Sequence, residues 1–251
     1  MFNFLPESIK RLLRPVKHAL YNLYYPTFFC PVCKRKGFFI DNGIVLRKNV
    51  RCPCGTLERH RFLWLFLEKS GFFTKSKIDS MLHIAPEEFL TDHFKALLKD
   101  GYISADLNPE LAMIQMDITS IQYPEESFDL IYCCHVLEHV KDDQKAMAEF
   151  YRVLKPNGIA ILLVPISEKS HEDDSIVTTE ERLRVFGHPG HVRTYSEESF
   201  ITRLNQANFK VKKILATDIL SAEEIEKSNI NKSNVLYICS KTPDSESVKK
   251  S

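Results

Sequence analysis

The sequence predicts an α/β protein: a doubly wound, seven-stranded, mostly parallel sheet with helices on both faces, preceded by a small cysteine-bearing module. Three observations predict it. From residue 79 onward, short apolar runs alternate with amphipathic segments, the pattern of strand–helix repeats. Four of the seven cysteines cluster between residues 30 and 54, whereas the other three sit in apolar runs. Charge also divides the 251-residue chain: residues 1–75 carry 14 Lys and Arg against 4 Asp and Glu, and the remainder 20 against 29. Such asymmetry marks two units with different partners.

The elements follow in order. Residues 6–25 place Ile9, Leu12, Leu13, Val16, Leu20 and Leu23 at helical spacing, with Lys10, Arg11, Arg14 and Lys17 on the other face and a kink at Pro15. That helix either packs on its own protein or lies on an anionic membrane surface. Residues 29–61 are short-segmented and turn-rich, and 57–69 (LERHRFLWLFLEK) read as a helix. Strands are predicted at 80–85, 102–106, 113–117, 128–134, 158–165, 209–216 and 234–240, the last two as an antiparallel edge, with helices at 87–99, 142–154 and 196–207. Residues 166–195 show no strand pattern and read as a lid-like insertion. The resulting division is 1–28 (amphipathic helix), 29–70 (cysteine module and helix), 71–240 (α/β domain) and 241–251 (disordered tail).

Composition narrows the function classes. Hydrophobic residues make up 44% and charged residues 27%, which excludes a wholly disordered chain. No apolar run reaches the length of about 18–20 residues that spans a bilayer. Charges interrupt the first twenty residues where a secretory leader would be apolar, so a cytoplasmic location is expected, with peripheral contact at the inner membrane surface through residues 6–25 as an option.

Cys30-Pro-Val-Cys33 and Cys52-Pro-Cys54-Gly55 form two knuckles about twenty residues apart. In an intracellular chain, four such thiols point to metal before disulfides. Two pairs of thiolates can surround Zn²⁺ tetrahedrally, and four thiolates leave no open position, so the ion would be structural. A module with so little apolar core needs that staple.

Several segments then line up: Leu82-His83-Ile84-Ala85-Pro86-Glu87, Asp106 ending the second strand, Asp117-Ile118-Thr119, Phe128 to Val140 (FDLIYCCHVLEHV) and Arg152 to Gly158 (RVLKPNG). This order resembles the class I S-adenosylmethionine-dependent methyltransferases of the type 11 group, whose fold is Rossmann-like. It also resembles a subgroup with a CPxC…CPxCG…LERHR segment, an LHIAPE loop and FG-x-x-x-HVR-x-Y, matched here by Phe186 to Tyr195. The resemblance implies S-adenosylmethionine as cofactor. It places His83, Ala85 and Glu87 on the first loop, Asp106 and Leu107 at the ribose, Asp117 and Ile118 at the adenine, and Cys134 and His135 beside the methionine part. The sequence departs from the family in one respect: the first loop, usually Gly-rich, contains no glycine.

Methyl transfer from a sulfonium needs in-line alignment and, for an oxygen or nitrogen acceptor, a base. His135 is the first choice for that base. His188, His191, Arg193 and Tyr195 are predicted on the substrate side, Arg193 as a clamp for carboxylate or phosphate and Tyr195 orienting the acceptor. The expected partner is a small-molecule, sugar or lipid-linked methyl acceptor. Two other functions stay open: a zinc-knuckle nucleic-acid binder or RNA methyltransferase, suggested by the basic first third, and an inactive methyltransferase-fold interaction protein, suggested by the missing glycines. His135-Val136-Leu137-Glu138-His139 also fits the H-x-x-E-H peptidase pattern. That chemistry needs one continuous helix, and His135 ends a strand. A divalent ion at Glu138 and His139 beside a substrate is the related option.

Overall fold

The computed structural model describes residues 16, 20–75 and 77–241. In chain order its elements are β1 (Thr27–Cys30), β2 (Arg35–Phe38), β3 (Ile40–Asn42), β4 (Arg47–Arg51), α1 (Glu58–Ser70), α2 (Phe72–Lys75), β5 (Met81–Ile84), α3 (Glu88–Leu98), β6 (Tyr102–Asp106), β7 (Ile114–Gln115) and β8 (Phe128–Cys134). A 3₁₀ turn (Leu137–His139) leads to α4 (Asp143–Val153), β9 (Leu154–Leu163), β10 (His171–Glu172), α5 (Thr179–Phe186), β11 (Arg193–Thr194), α6 (Glu197–Gln206), β12 (Lys210–Leu215), α7 (Ala216–Ile219), α8 (Ala222–Lys227) and β13 (Val235–Ser240). Most of the predicted 6–25 helix and the 242–251 tail lie outside the described residues, although 20–24 are helical. Among the described residues no helix is long and apolar enough to cross a membrane.

The chain divides into two units, Met1–Ser70 with Leu215–Asn234, and Gly71–Ile214 with Val235–Ser251. The first unit has two small antiparallel hairpins, β1–β2 and β3–β4. Its knot is Arg61 of the LERHR segment. The side chain is fully buried and donates to the carbonyls of Val50 (3.0 Å), Thr56 (3.1 Å), Ser228 (2.7 Å) and Asn229 (2.7 Å). A guanidinium fork suits this task, because its five donors can satisfy several carbonyls at once. Burial lowers its pKa to about 10, so it stays charged at neutral pH. Residues 215–234 therefore leave the sheet strands to pack on the cysteine module, with Asn229 Nδ2 bonding Asn49 O at 2.6 Å and Lys69 pairing with Glu224 at 2.7 Å.

The second unit is the Rossmann-like α/β sheet, ordered β12-β13-β9-β8-β5-β6-β7. Strands β5 to β9 pair in parallel and β13 runs antiparallel to β9. Alternation along each strand explains the two covered faces. On β5, Leu82 and Ile84 join the core with Met147 and Phe150 of α4 and Phe200 and Leu204 of α6. His83 points the other way, within 5.1–6.0 Å (ring centroids) of Phe94 on α3, Tyr102 and Tyr132. The one marked shift from the predicted boundaries is β9, which begins at Leu154 because Phe128 pairs with it ahead of a register shift. The insertion 166–195 is not strand-free: β10 and β11 pair antiparallel around α5.

Candidate functional site

Strand order fixes where a ligand can sit. β5 lies between β6 and β8, the chain proceeding first to β6 and β7 on one side and then to β8 and β9 on the other. This reversal opens a crevice at the carboxyl ends of the strands. The predicted cofactor residues lie along that edge: Asp117 after β7, Asp106 at the end of β6, Ala85 after β5, and Cys134 and His135 at the end of β8. Four adjacent strands at about 4.8 Å spacing give a crevice of roughly 14 Å from end to end.

Two of these residues have backbone conformations that L-residues avoid. Ala85 has φ +47° and His135 φ +57°. The left-handed region costs a residue bearing Cβ about 1–2 kcal/mol. Both are pinned by main-chain bonds, Ala85 N–H to Ala105 O and His135 N–H to Leu163 O, each 2.8 Å. The glycine-free loop thus adopts the left-handed turn that a glycine would supply, with alanine carrying the strain. Such outliers concentrate at ligand sites.

A buried hydrogen-bond chain sets the loop after β5. Tyr102 Oη lies 2.9 Å from His83 Nδ1, and His83 Nε2 lies 2.8 Å from Glu87 Oε2. Tyr132 Oη adds a long contact to Glu87 Oε1 at 3.5 Å. Glu87 is therefore held at the loop by groups from two neighbouring strands, β5 and β8. Asp106 and Asp117 each spend Oδ1 on a local turn, bonding Asn108 N–H and Thr119 N–H and Oγ1, all at 2.8 Å. The Thr119 bonds hold the Asp117 carboxyl below its ordinary range. Leu107 is exposed, and Ile118 belongs to the core.

The segments predicted for the acceptor side come from two distant sequence motifs that interlock. Val192 N–H bonds Glu138 O at 2.9 Å, and His139 Nδ1 bonds Gly190 O at 2.9 Å. Arg193, 2% exposed, donates to the carbonyls of Leu137 (3.3 Å), Val140 and Lys141 (2.6 Å), and to Glu172 Oε1 at 2.5 Å. Tyr195, 1% exposed, donates to Asp143 Oδ2 at 2.7 Å, while Arg203 bridges Asp143 and Glu172. Burial pushes the Tyr195 phenol far up, as does Asp143, so it remains a neutral donor. Arg193 and Tyr195 thus have their polar atoms committed to protein partners.

The histidines are less enclosed. His135 Nδ1 lies 3.4 Å from Oε1 of the fully buried Glu138, and His191 Nε2 lies 3.9 Å from the same oxygen. Burial, with His139 and His188 nearby, lowers His191 to about 4, so it is neutral at pH 7. Sequence reasoning left Tyr102 and Tyr132 out of the site; each reads as one more apolar strand residue.

The cysteine knuckles converge in the first unit. Cys30 Sγ and Cys54 Sγ are 3.7 Å apart, Cys33 Sγ and Cys52 Sγ 3.8 Å, and all four sulfurs lie within 4.8 Å of one another. Zn–S bonds of about 2.3 Å in a tetrahedron give S···S edges of about 3.8 Å. The donor set therefore fits that ion. Gly55, at φ +107°, makes the second knuckle's turn, its N–H bonding Cys52 O at 2.8 Å. By contrast, Cys133 and Cys239 are buried thiols whose pKa burial pushes up, which leaves them unreactive.

Comparison with known proteins identifies a matching domain within the chain. Residues 80–162 match the model of a methyltransferase domain. The uncharacterized methyltransferase YcgJ of Bacillus subtilis is 33% identical over 100 residues, 40% of this chain and 36% of that protein. The uncharacterized protein YafE of Escherichia coli is 31% identical over 104 residues, 41% and 48% of the two chains. The ubiquinone/menaquinone biosynthesis C-methyltransferase UbiE of Pseudoalteromonas translucida is 39% identical over 59 residues, 24% and 23%. The chain thus spans less than half the length of these curated relatives. Among solved structures, an S-adenosylmethionine-dependent methyltransferase from Archaeoglobus fulgidus aligns at 14% identity over 75% of this chain and 95% of that one, with a TM-score of 0.48. The strand order and the matched domain together give the chain a class I S-adenosylmethionine-dependent methyltransferase fold, with a cysteine cluster able to chelate a metal near its N-terminus.

Proposed function

We propose that the protein transfers the methyl group of S-adenosylmethionine to an oxygen or nitrogen nucleophile of a small-molecule, sugar or lipid-linked acceptor. The observation that carries this reading is the row of strand ends at β7, β6, β5 and β8, with left-handed backbone at Ala85 and His135 and a carboxylate at the end of β6 and just after β7. The bound cofactor supplies an electrophilic methyl on a sulfonium. Asp106 accepts from the ribose hydroxyls and Asp117 from the adenine amine, with Ile118 beside the ring. His83 and Glu87 hold the loop against the amino-acid part. Cys134 and His135 border the methyl.

His135 takes the acceptor proton as the new bond to carbon forms and the carbon–sulfur bond breaks, its electron pair staying on sulfur. Glu138, 3.4 Å from His135 Nδ1, orients that ring. His191 faces the acceptor. Arg193 and Tyr195 act as positioning residues that fix the 137–141 and 188–195 segments, with the insertion 166–195 excluding water. Cys30, Cys33, Cys52 and Cys54 hold a structural Zn²⁺. Dialysed protein is expected to retain about one zinc per chain; folded protein without metal would remove that claim. The test of the main reading is calorimetric titration with S-adenosylhomocysteine. Saturable binding at a single site supports it, and no heat in protein shown to be folded overturns it.

A further inference from the structure

His139, on the 3₁₀ turn after β8, meets His188 and His191 of the insertion. Ring centroids are 4.5–5.4 Å apart, and one nitrogen from each ring lies within 4.8 Å of the others. One residue, Gly190, sets two of the rings. Its carbonyl accepts from His139 Nδ1 at 2.9 Å, and its N–H donates to His188 Nδ1 at 3.1 Å. A Cβ on Gly190 would stand 3.0 Å from His139 Nδ1 and 3.5 Å from His188 Cε1, so a larger residue would push the His139 ring back by a few tenths of an ångström. The carbonyl bond fixes the Nδ1–H tautomer of His139 and leaves the Nε2 lone pair available. A ligating histidine is usually oriented in this way.

We propose that His139, His188 and His191 form a second metal site, for a divalent transition ion, with an open coordination position facing the acceptor. Imidazole suits Zn²⁺, Co²⁺, Ni²⁺ and Cu²⁺. Three ligands with one open position are the arrangement of a catalytic rather than a structural ion. Bonds of about 2.1 Å draw the rings together by roughly 1 Å, and His188 exchanges its amide bond for the ion. The role of the site rests on the methyl-transfer reading. Glu138 lies 3.9 Å from His191 and 3.4 Å from His135, which sets the ion one carboxylate away from the proposed base. The substrate class is then an oxygen acceptor. A hydroxyl ligated at the open position becomes more acidic, its proton passes to His135, and no oxidant or reductant is involved.

The test uses the full chain with the thiolate site saturated with zinc, titrated with Co²⁺ by calorimetry and visible absorption. The expected result is a further equivalent of Co²⁺ with a nitrogen–oxygen spectrum and no thiolate charge-transfer band. His188→Ala and His191→Ala should each weaken binding by more than tenfold, and Gly190→Ala, which leaves all three ligands in place, by about tenfold. Circular dichroism and S-adenosylhomocysteine binding check that each variant is folded, and partly exposed His188 decides the matter if His191→Ala is unstable. No Co²⁺ beyond the thiolate site, or equal affinity in wild type and both histidine variants, overturns the proposal. Retained S-adenosylhomocysteine binding in that case leaves the methyl-transfer reading standing. Cobalt binding without S-adenosylhomocysteine binding would keep the metal site and remove its assigned role.

Discussion

The two ends of the parallel sheet are built on opposite principles. At the amino ends, Asp129 Oδ2 accepts from Ser80 N–H (2.9 Å), Ser80 Oγ (2.8 Å) and Lys155 Nζ (2.9 Å). Arg152 closes the same end, bonding the carbonyls of Ile121 and Tyr123 and the Glu149 carboxylate. Burial alone would raise the Asp129 carboxyl, but the bonds from Lys155 and Ser80 hold it below its ordinary range. At the carboxyl ends the chain takes left-handed turns at Ala85 and His135 and packs charged and imidazole groups around Glu138. One end spends its polar groups on holding strands in register. The other gathers partly exposed histidines around a buried carboxylate, which folding alone does not require.

The largest expected effect that separates the ends is at Arg193. Arg193→Met leaves the carbonyls of residues 137, 140 and 141 without their cation and the buried Asp143 with less countercharge. Losing one partner of such a network costs about 3 kcal/mol. The loss should fall on the carboxyl end first, as faster hydrogen exchange over 137–141 and 188–195 while β8 and β9 stay protected. Uniform exchange across the unit would show that the network serves the fold alone. The network also has a pH signature. Burial raises the Glu172 carboxyl, but Arg193 and Arg203 outweigh it and hold the group below its ordinary range. Its contribution to stability is therefore present above the unfolded carboxylate range and lost as pH falls through the depressed folded value. Wild type should lose stability more steeply than Arg193→Met on acidification, an effect tempered because Glu172 is 37% exposed.

Next comes Asp106→Ala. If the carboxylate binds the ribose, affinity for S-adenosylhomocysteine falls by about 100-fold, since charged hydrogen bonds to a ligand are worth about 1.5–3 kcal/mol. The melting temperature of the ligand-free protein should barely move, because Asp106 makes a local turn bond at the sheet's edge. Unchanged affinity would break the assignment of the crevice. Asp129→Asn is the mirror experiment: a stability loss of about 1–3 kcal/mol with unchanged affinity for S-adenosylhomocysteine. A variant that keeps its stability but binds more weakly would reverse the division of labour between the two ends.

Much of the sheet was legible because its strands are apolar runs of the right length, and Phe128–Cys134 matches its prediction residue for residue. The convergence of the four cysteines was legible from knuckle spacing. Other features were not. Arg61 looks like one more basic residue on a helix, and only the folded chain shows residues 215–234 returning to it. Arg193 and Tyr195 have side chains suited to a substrate, yet two segments more than fifty residues apart must meet before their actual partners exist. His188 and Gly190 gain meaning only beside His139. Tertiary contacts of long sequence separation leave no local trace, and backbone strain at a residue such as Ala85 leaves none in composition.

The smallest effect is the sharpest test of that strain. Ala85 holds a left-handed conformation that costs about 1–2 kcal/mol relative to glycine. Ala85→Gly relieves it but adds about 0.5–1 kcal/mol of unfolded-chain entropy. The balance is a stabilisation of up to about 1 kcal/mol, readable in denaturant midpoints at constant slope. If the turn is already formed by the bond from Ala85 N–H to Ala105 O, ligand affinity stays within about twofold, because the backbone presented to the ligand is unchanged. A large gain in affinity would instead mean that alanine holds the loop away from its binding form. Reduced stability would mean that the left-handed turn at Ala85 costs this protein nothing, and the strain assigned to the loop after β5 would no longer hold.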